Sequence, residues 1–412
     1  MVAPFNIAVG LDLHKRFILA TVLWQSGQLL QERFDRTHDG LFSLKTWILD
    51  HHADVVACES TSDYWVPVYD LLDGIVPVLV GNACDIKAFS HKKTDKIDSA
   101  MIARLALHDM IPPSRVFPLN AREFRKQLRL RHMLVQKRTD IKNQIHHILD
   151  SEVFRLSAVL SDLFGTSGRI LLQGLINGMP VDDLIPMLPS RIRKREVDLR
   201  AVLSQTLAPA SLFRLQLCLR LIRCMDDQID AITTSAKTFA YAHHPREMAI
   251  LRSVPGIGEI SALTLLAEIG DIRDFPSGEK LASWLGLVPR VAQSADTLRT
   301  GSITKRGSIH ARWILTEVAH AAARARTNRL RDFFERKKKA LGPGKTIVAL
   351  ARKIATLIWH LLTHDEVYKD EQYPPKKEPH RVAITVPKNL TLKELLQILV
   401  DANVYLTNKE PD

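Results

Sequence analysis

Cysteine is scarce in this chain and never paired: Cys58, Cys84, Cys218 and Cys224 are the only four, and no two of them form a CxxC. That spacing excludes a zinc ribbon and a disulfide framework, and leaves the four expected as buried small hydrophobes. Long apolar runs are missing as well. No uninterrupted stretch reaches the ~18 residues a membrane span needs, and the opening MVAPFNIAVGLD has no basic region, apolar stretch and cleavage site of a secretory signal. A cytoplasmic protein without a membrane partner is expected. Acids are outnumbered, 45 against 57 Lys and Arg, for a net charge of +12. Such a surface attracts polyanions before any specific contact forms, with nucleic acid first and an anionic membrane behind it. A nucleotide-binding loop is also lacking. GPGKT at 342–346 ends like one, but Lys339 stands where the motif's first glycine is required.

What is present divides the 412 residues into segments of different character. The first hundred alternate strands and helices: NIAVGLDLH, FILATVLW and QLLQERF, then DVVACES and IVPVLVG with helical stretches between. Three consecutive strands, a helix, then alternating strands and helices give a mixed sheet covered by helices, the order of a ribonuclease H fold. From Asn120 to Asp150, Leu134, Ile141 and Ile148 recur seven apart, the mark of a long helix, and a second over roughly 209–240 is expected to pair with it as an antiparallel arm. The expected division is residues 1–115, an α/β domain; 116–245, a helical, coiled-coil arm; 246–365, a mainly helical domain; and 366–412, a linker (EQYPPKKEPH) with a short strand and a capped helix.

Four acids stand out in the first segment. Asp12 shares a strand face with Ala8 and Gly10, opposite the apolar Ile7, Val9, Leu11 and Leu13. Glu59 ends the strand DVVACE. Asp95 and Asp98 lie three apart at the start of TDKIDSAMIARLA, on one face of a helix. Two strand acids and two on one helical turn make an all-oxygen donor set, which suits Mg²⁺ or Mn²⁺ rather than zinc. Taken singly, each acid reads more simply as a cap or turn residue.

The arm is basic. Arg122, Arg125, Lys126, Arg129, Arg131, Lys137, Arg138 and Lys142 have only Glu123 and Asp140 as acidic neighbours along the helix. A phosphate-tracking surface and a solvated helix face compete as explanations. VPGIGEISA sets Pro255, Gly256 and Gly258 between two apolar helical stretches, as in a helix-hairpin-helix whose free N–H groups hold a phosphate. Beyond it, Ser294 lies among small and polar residues ahead of Arg299, Lys305 and Arg306. A serine hydroxyl is a nucleophile only once its proton is drawn off. Composition does not separate Ser294 from Ser302 or Ser308.

Together, GLDLHKR, ACEST, KKTDKIDSAMIARLA, LRSVPGIGEISALTLLAEIGD and WLGLVPRVAQSADTLRTGSITKRG resemble one family of bacterial insertion-sequence transposases, in order, over about residues 5–365. That family has a RuvC-like domain with four acids, DEDD, at the N-terminus and a serine-bearing domain at the C-terminus. The resemblance implies a nucleoid-associated recombinase that moves its element through a circular DNA intermediate, guided by an element-encoded RNA and working as a homodimer or homotetramer. It assigns Asp12, Glu59, Asp95 and Asp98 to Mg²⁺ and Ser294 to a transient covalent link with a DNA phosphate. Two departures are visible: Ala295 stands where the family usually has glycine, and the extension beyond about residue 366 is long. The nearest rival is a metal-dependent endonuclease resembling a junction resolvase, which would not use the serine. A sugar kinase or ATPase and a non-catalytic nucleic-acid-binding protein are the others.

Overall fold

The computed structural model describes residues 4–83, 86, 99–294, 297–325 and 328–370, and the chain divides into two compact units, residues 1–119 and 120–412. The final expected segment therefore lies almost entirely outside the described residues, as do Cys84, Asp95 and Asp98.

Five strands form the sheet of the first unit: β1 Ile7–Leu13, β2 Phe17–Trp24, β3 Leu29–Asp35, β4 Val55–Glu59 and β5 Val78–Gly81. Their order is β3-β2-β1-β4-β5; β1, β2 and β3 are antiparallel neighbours, while β4 runs parallel to β1 and β5 to β4. The sheet is thus mixed, as its strand pattern implied. Alternation sorts its side chains. Val9, Leu11, Ile18, Val56 and Cys58 pack with Leu44 and Ile48 of α1 (His38–Asp50) and Val68 and Leu72 of α2 (Trp65–Leu72). Ala8, Val55 and Ala57, one residue out of phase, meet Ile102, Ala103 and Ala106 of α3 (Ser99–Leu107).

Gly10 makes that second layer possible. A Cβ there would lie 2.1 Å from the Ser99 carbonyl oxygen and 2.3 Å from the Ala103 nitrogen, so α3 rests on bare backbone. The helix start is fixed by polar contacts: the buried Ser99 and Thr21 hydroxyls are 2.7 Å apart, and the amide of the exposed Gln31 donates to both at 3.0 Å.

The second unit is built on two long helices, α4 Leu119–Ser151 and α10 Pro209–His243. As α4 advances through Phe124, Arg131, Arg138 and Glu152 just past its end, its partners recede through Phe239, Thr233, Asp226 and Ser211, so the pair is antiparallel in constant register. Between them run short helices that hydrophobic periodicity did not reveal: α5 Leu156–Val159, α6 Thr166–Ile176, α7 Val181–Leu184, α8 Ser190–Arg193 and α9 Glu196–Leu203. They enclose a core with Ile145, Ile148, Leu215 and Ile222 at one end of the arm.

Phe124, Leu128, Ala236 and Ala240 belong to a second core at the other end. It gathers α11 Pro245–Ser253, α12 Glu259–Ile269, α13 Gly278–Trp284, α14 Ile309–Arg324, α15 Arg329–Leu341 and α16 Pro343–Thr363. By length and composition α16 would suffice to cross a bilayer, yet Ile347, Leu350, Ile354 and Ile358 are buried in this core. A two-stranded hairpin, β6 Pro289–Ser294 and β7 Thr297–Ile303, precedes α14. The cysteines depart in part from expectation: Cys58 is buried and Cys218 packs half-buried against the core that holds Leu215 and Ile222, but Cys224 is exposed on α10.

Candidate active site

β1 and β4 bring the first two acids side by side. Leu11 is paired with Cys58 in the parallel ladder, and Asp12 and Glu59 each follow by one residue. They occupy neighbouring strands, about 4.8 Å apart, on the face that α3 covers. Both stand at strand ends, where the side chains reach solvent; that of Asp12 is 27% exposed. His14 Nε2 donates to Asp12 Oδ2 at 2.9 Å, and its ring packs on Phe17. The Thr61 hydroxyl donates to Glu59 Oε1. Cys58 points to the opposite face; burial, followed by the charge of Glu59, pushes its thiol up to about 12, so it stays protonated near neutral pH.

Asp95 and Asp98 lie outside the described residues, but the residue after Asp98 is Ser99, the anchored first residue of α3 over Gly10. Among the described residues no group of three or more His, Cys, Asp or Glu gathers as a metal cluster.

Ser294 ends β6, and its backbone pairs with Thr297 across the hairpin; Ala295 and Asp296 lie outside the described residues. The structure sets one of the three serines apart. Ser308 is consumed: it caps α14, accepting from Ala311 N at 3.1 Å, and donates to Glu268 Oε2 at 2.7 Å. Ser302 is exposed on β7. Arg299 pairs through its backbone with Ala292 on the same hairpin, and Lys305 and Arg306 are exposed just beyond it. Arg312 donates to the Leu285 and Arg306 carbonyls at 3.0 and 3.3 Å, closing the base of the hairpin.

Glu268 was not singled out by the sequence, and it organises this region. Only 2% exposed, it receives Arg125 Nε at 2.9 Å, Arg129 Nε at 2.7 Å and Nη2 at 3.0 Å, and the Ser308 hydroxyl. Burial alone would raise its pKa, but hydrogen bonds and charge from Arg129 and Arg125, with Ser308, overcome that and hold it at about 2. An acid inside the apolar run ALTLLAEI was the available signal, since a buried charge requires a partner.

The arm's bases accordingly split. Arg125 and Arg129 serve Glu268, Arg131 donates to Thr233, Arg138 pairs with Asp226, and Arg122 is buried. Acids from elsewhere in the chain thus join Glu123 and Asp140, which meet Lys126 and Lys137 in exposed pairs. Lys142 lies over the Phe164 ring. A further basic run, Arg336 to Lys339 at the exposed end of α15, was also missed.

Gly256 and Gly258 lie between α11 and α12. Gly256 has φ +92°, and a Cβ would sit 2.6 Å from the Val318 carbonyl oxygen of α14. Gly258 is exposed at the start of α12, with open space where its Cβ would be.

Two family models match. One, described as a transposase and named for DEDD acids and IS110, covers residues 9–154; the other, described as "Transposase IS116/IS110/IS902 family", covers 248–335. Among curated proteins, the chain is 38% identical over 127 residues to a "Probable family 20 transposase" of Pseudomonas aeruginosa, covering 29% of this chain and 36% of that one. It is 36% identical over 126 residues to the "Transposase for insertion sequence element IS1111A" of Coxiella burnetii, covering 29% and 34%. A "Pilin gene-inverting protein" of Moraxella bovis is 30% identical over 122 residues, covering 29% and 38%. The matched stretch spans about a third of each relative's length.

Proposed function

Since the chain belongs to the IS116/IS110/IS902 family of transposases, we propose that it cuts and rejoins DNA strands to move an insertion sequence. The observation that carries this is the placing of Asp12 and Glu59 side by side at strand ends, on the sheet face covered by the helix that begins one residue after Asp98. The strand order β3-β2-β1-β4-β5 supports a ribonuclease H-like, RuvC-like reading of the first unit.

Asp12 and Glu59, with Asp95 and Asp98, would hold Mg²⁺ or Mn²⁺. The Asp12 and Glu59 carboxylates on one face, with the Cys58 thiol protonated and turned away, fit a hard cation. Bound there, the cation supplies activation of the attacking oxygen and stabilisation of the leaving one. His14 orients Asp12 through its 2.9 Å hydrogen bond.

Ser294 acts by transesterification. Its oxygen bonds to a DNA phosphorus as the bond from that phosphorus to one sugar oxygen breaks, and the serine proton is matched by the proton gained on the leaving hydroxyl. Attack by a second strand's hydroxyl reverses the exchange, restores a phosphodiester and frees the serine. Arg299, Lys305 and Arg306 neutralise the phosphates nearby. A relative named for inverting a gene supports rejoining over plain hydrolysis. Sequence recognition is delegated to an element-encoded guide RNA, which reads bases while the protein reads backbone. The active species is a homodimer or homotetramer.

The test is a trapping assay with labelled donor and target DNA, the element's flanking RNA and Mg²⁺. A denaturation-resistant protein–DNA adduct, absent from both Ser294→Ala and Asp12→Asn, is expected. Cleavage that survives Ser294→Ala without an adduct would replace this reading with the metal-dependent endonuclease.

A further inference from the structure

An open cleft lies between α4, α6 and α10, with about 450 Å³ of empty space including what opens to solvent. Phe164, Leu219 and Ile222 are its apolar lining, and Lys142, Arg169 and Arg223 its cations. Its one acid, Asp226, is already paired with Arg138. The cations are lightly engaged. Arg169 Nε donates to the Phe164 carbonyl at 2.8 Å, Arg223 donates to the Gln173 amide oxygen, and Lys142, with no hydrogen bond or ion pair among the described residues, has its ammonium 4.9 Å from the Phe164 ring centroid. The His146 ring meets Phe164 edge-on at 5.5 Å.

An aromatic floor beside three cations suits a ligand that is planar and apolar at one end and anionic at the other. We propose that this cleft binds one nucleotide, its base stacked on Phe164 and its phosphate held by Lys142, Arg169 and Arg223. Lys142 gives up its position over the ring as the base enters, and its flexible stem carries the ammonium to the phosphate. A cation–π contact is thereby exchanged for base stacking and a charge-assisted hydrogen bond. Burial, then the charge of Arg138, holds the Lys142 pKa below its usual value, and a phosphate would relieve that penalty. An acidic peptide would satisfy the cations but leave the ring without a planar partner. The inference rests on the nucleic-acid reading above; the nucleotide is free or belongs to a bound strand.

Photolabelling of the full-length protein tests it, with azidoadenosine monophosphate as the free nucleotide and a single strand of about 16 residues containing thiouridine as the polymer. The label is expected on the peptide containing Phe164. It should be lost in Phe164→Leu, which keeps an apolar side chain beneath the cleft, and in Arg169→Glu/Arg223→Glu, which changes only exposed positions. Strand affinity should fall about tenfold in the double variant, about 1.4 kcal/mol. Labelling by the monophosphate identifies a free-nucleotide site, and labelling by the strand alone identifies an unstacked base of bound nucleic acid; either supports the cleft. A strand that binds and labels elsewhere overturns the cleft and leaves nucleic-acid binding intact. Failure of every strand to bind overturns both.

Discussion

Glu268 and the pair Asp12 and Glu59 are carboxylates that the fold treats in opposite ways. Glu268 is buried 143 residues from Arg125, its partner in sequence terms, and is surrounded by donors from two arginines and a serine. Asp12 and Glu59 stand at the ends of parallel strands, meeting His14 and Thr61, with side chains that reach water. A carboxylate saturated by the protein is committed to holding its surroundings together. One set at a strand end stays in contact with water. Burial, rather than the presence of an acid, distinguishes the two settings.

The sharpest way to break that contrast is Asp12→Asn with Glu59→Gln. Adduct formation should fall on the order of 10³-fold, as when a charge-stabilising group leaves an active site, while stability moves by no more than about 0.5 kcal/mol. Urea melts and the trapping assay run together decide it; a large loss of stability would place these acids with Glu268. Conversely, Glu268→Gln leaves two arginines without their counter-charge and should cost about 3 to 5 kcal/mol of stability in urea unfolding.

Acid titration sharpens the same point without a substitution. The Glu268 pKa is about 2, below the ordinary 4.5, so its ionised form stabilises the folded state. That contribution, roughly 3 kcal/mol, is complete above pH ~4.5 and is lost as pH falls toward 2. Wild-type stability should drop across that window, and Glu268→Gln should flatten the drop. Gly10→Ala should cost about 1 to 3 kcal/mol by overpacking α3, measured by thermal melting, and should lower adduct yield because the helix that follows Asp98 must move. The smallest effects belong to the arm. Lys126→Ala and Lys137→Ala should each reduce the salt slope of nucleic-acid binding by about 1 with stability almost unchanged, whereas Arg129→Ala should reverse that pattern.

The architecture was largely legible because its signals are local. Alternation marked β1, β2 and β4, and seven-residue spacing marked α4, both consequences of side-chain direction along regular backbone. Asp12 and Glu59 were found from their places on strands. The basic arm was visible, but not the fate of its bases: Glu268 and Asp226 approach from distant sequence, and a helical pattern carries no record of what packs against it. The same reason hid the exposure of Cys224, which follows from the angular position of one residue on α10. The hairpin carrying Ser294 is not marked in the sequence, because RVAQSADTLRT lacks sustained apolar alternation. Ser308 was separable from Ser294 only once its bonds to Glu268 and Ala311 were visible.

The antiparallel pair α4 and α10 has a hydrophobic core at each end and one register throughout. It is therefore a strut of set length. The 33 residues of α4 extend about 50 Å at 1.5 Å per residue, the rise of about fifteen base pairs at ~3.4 Å each. Seven residues added to both helices would lengthen it by about 10 Å and preserve its faces. The same insertion in one helix alone would set Arg131 and Arg138 against the wrong partners, so the span between the two cores can change only in matched steps.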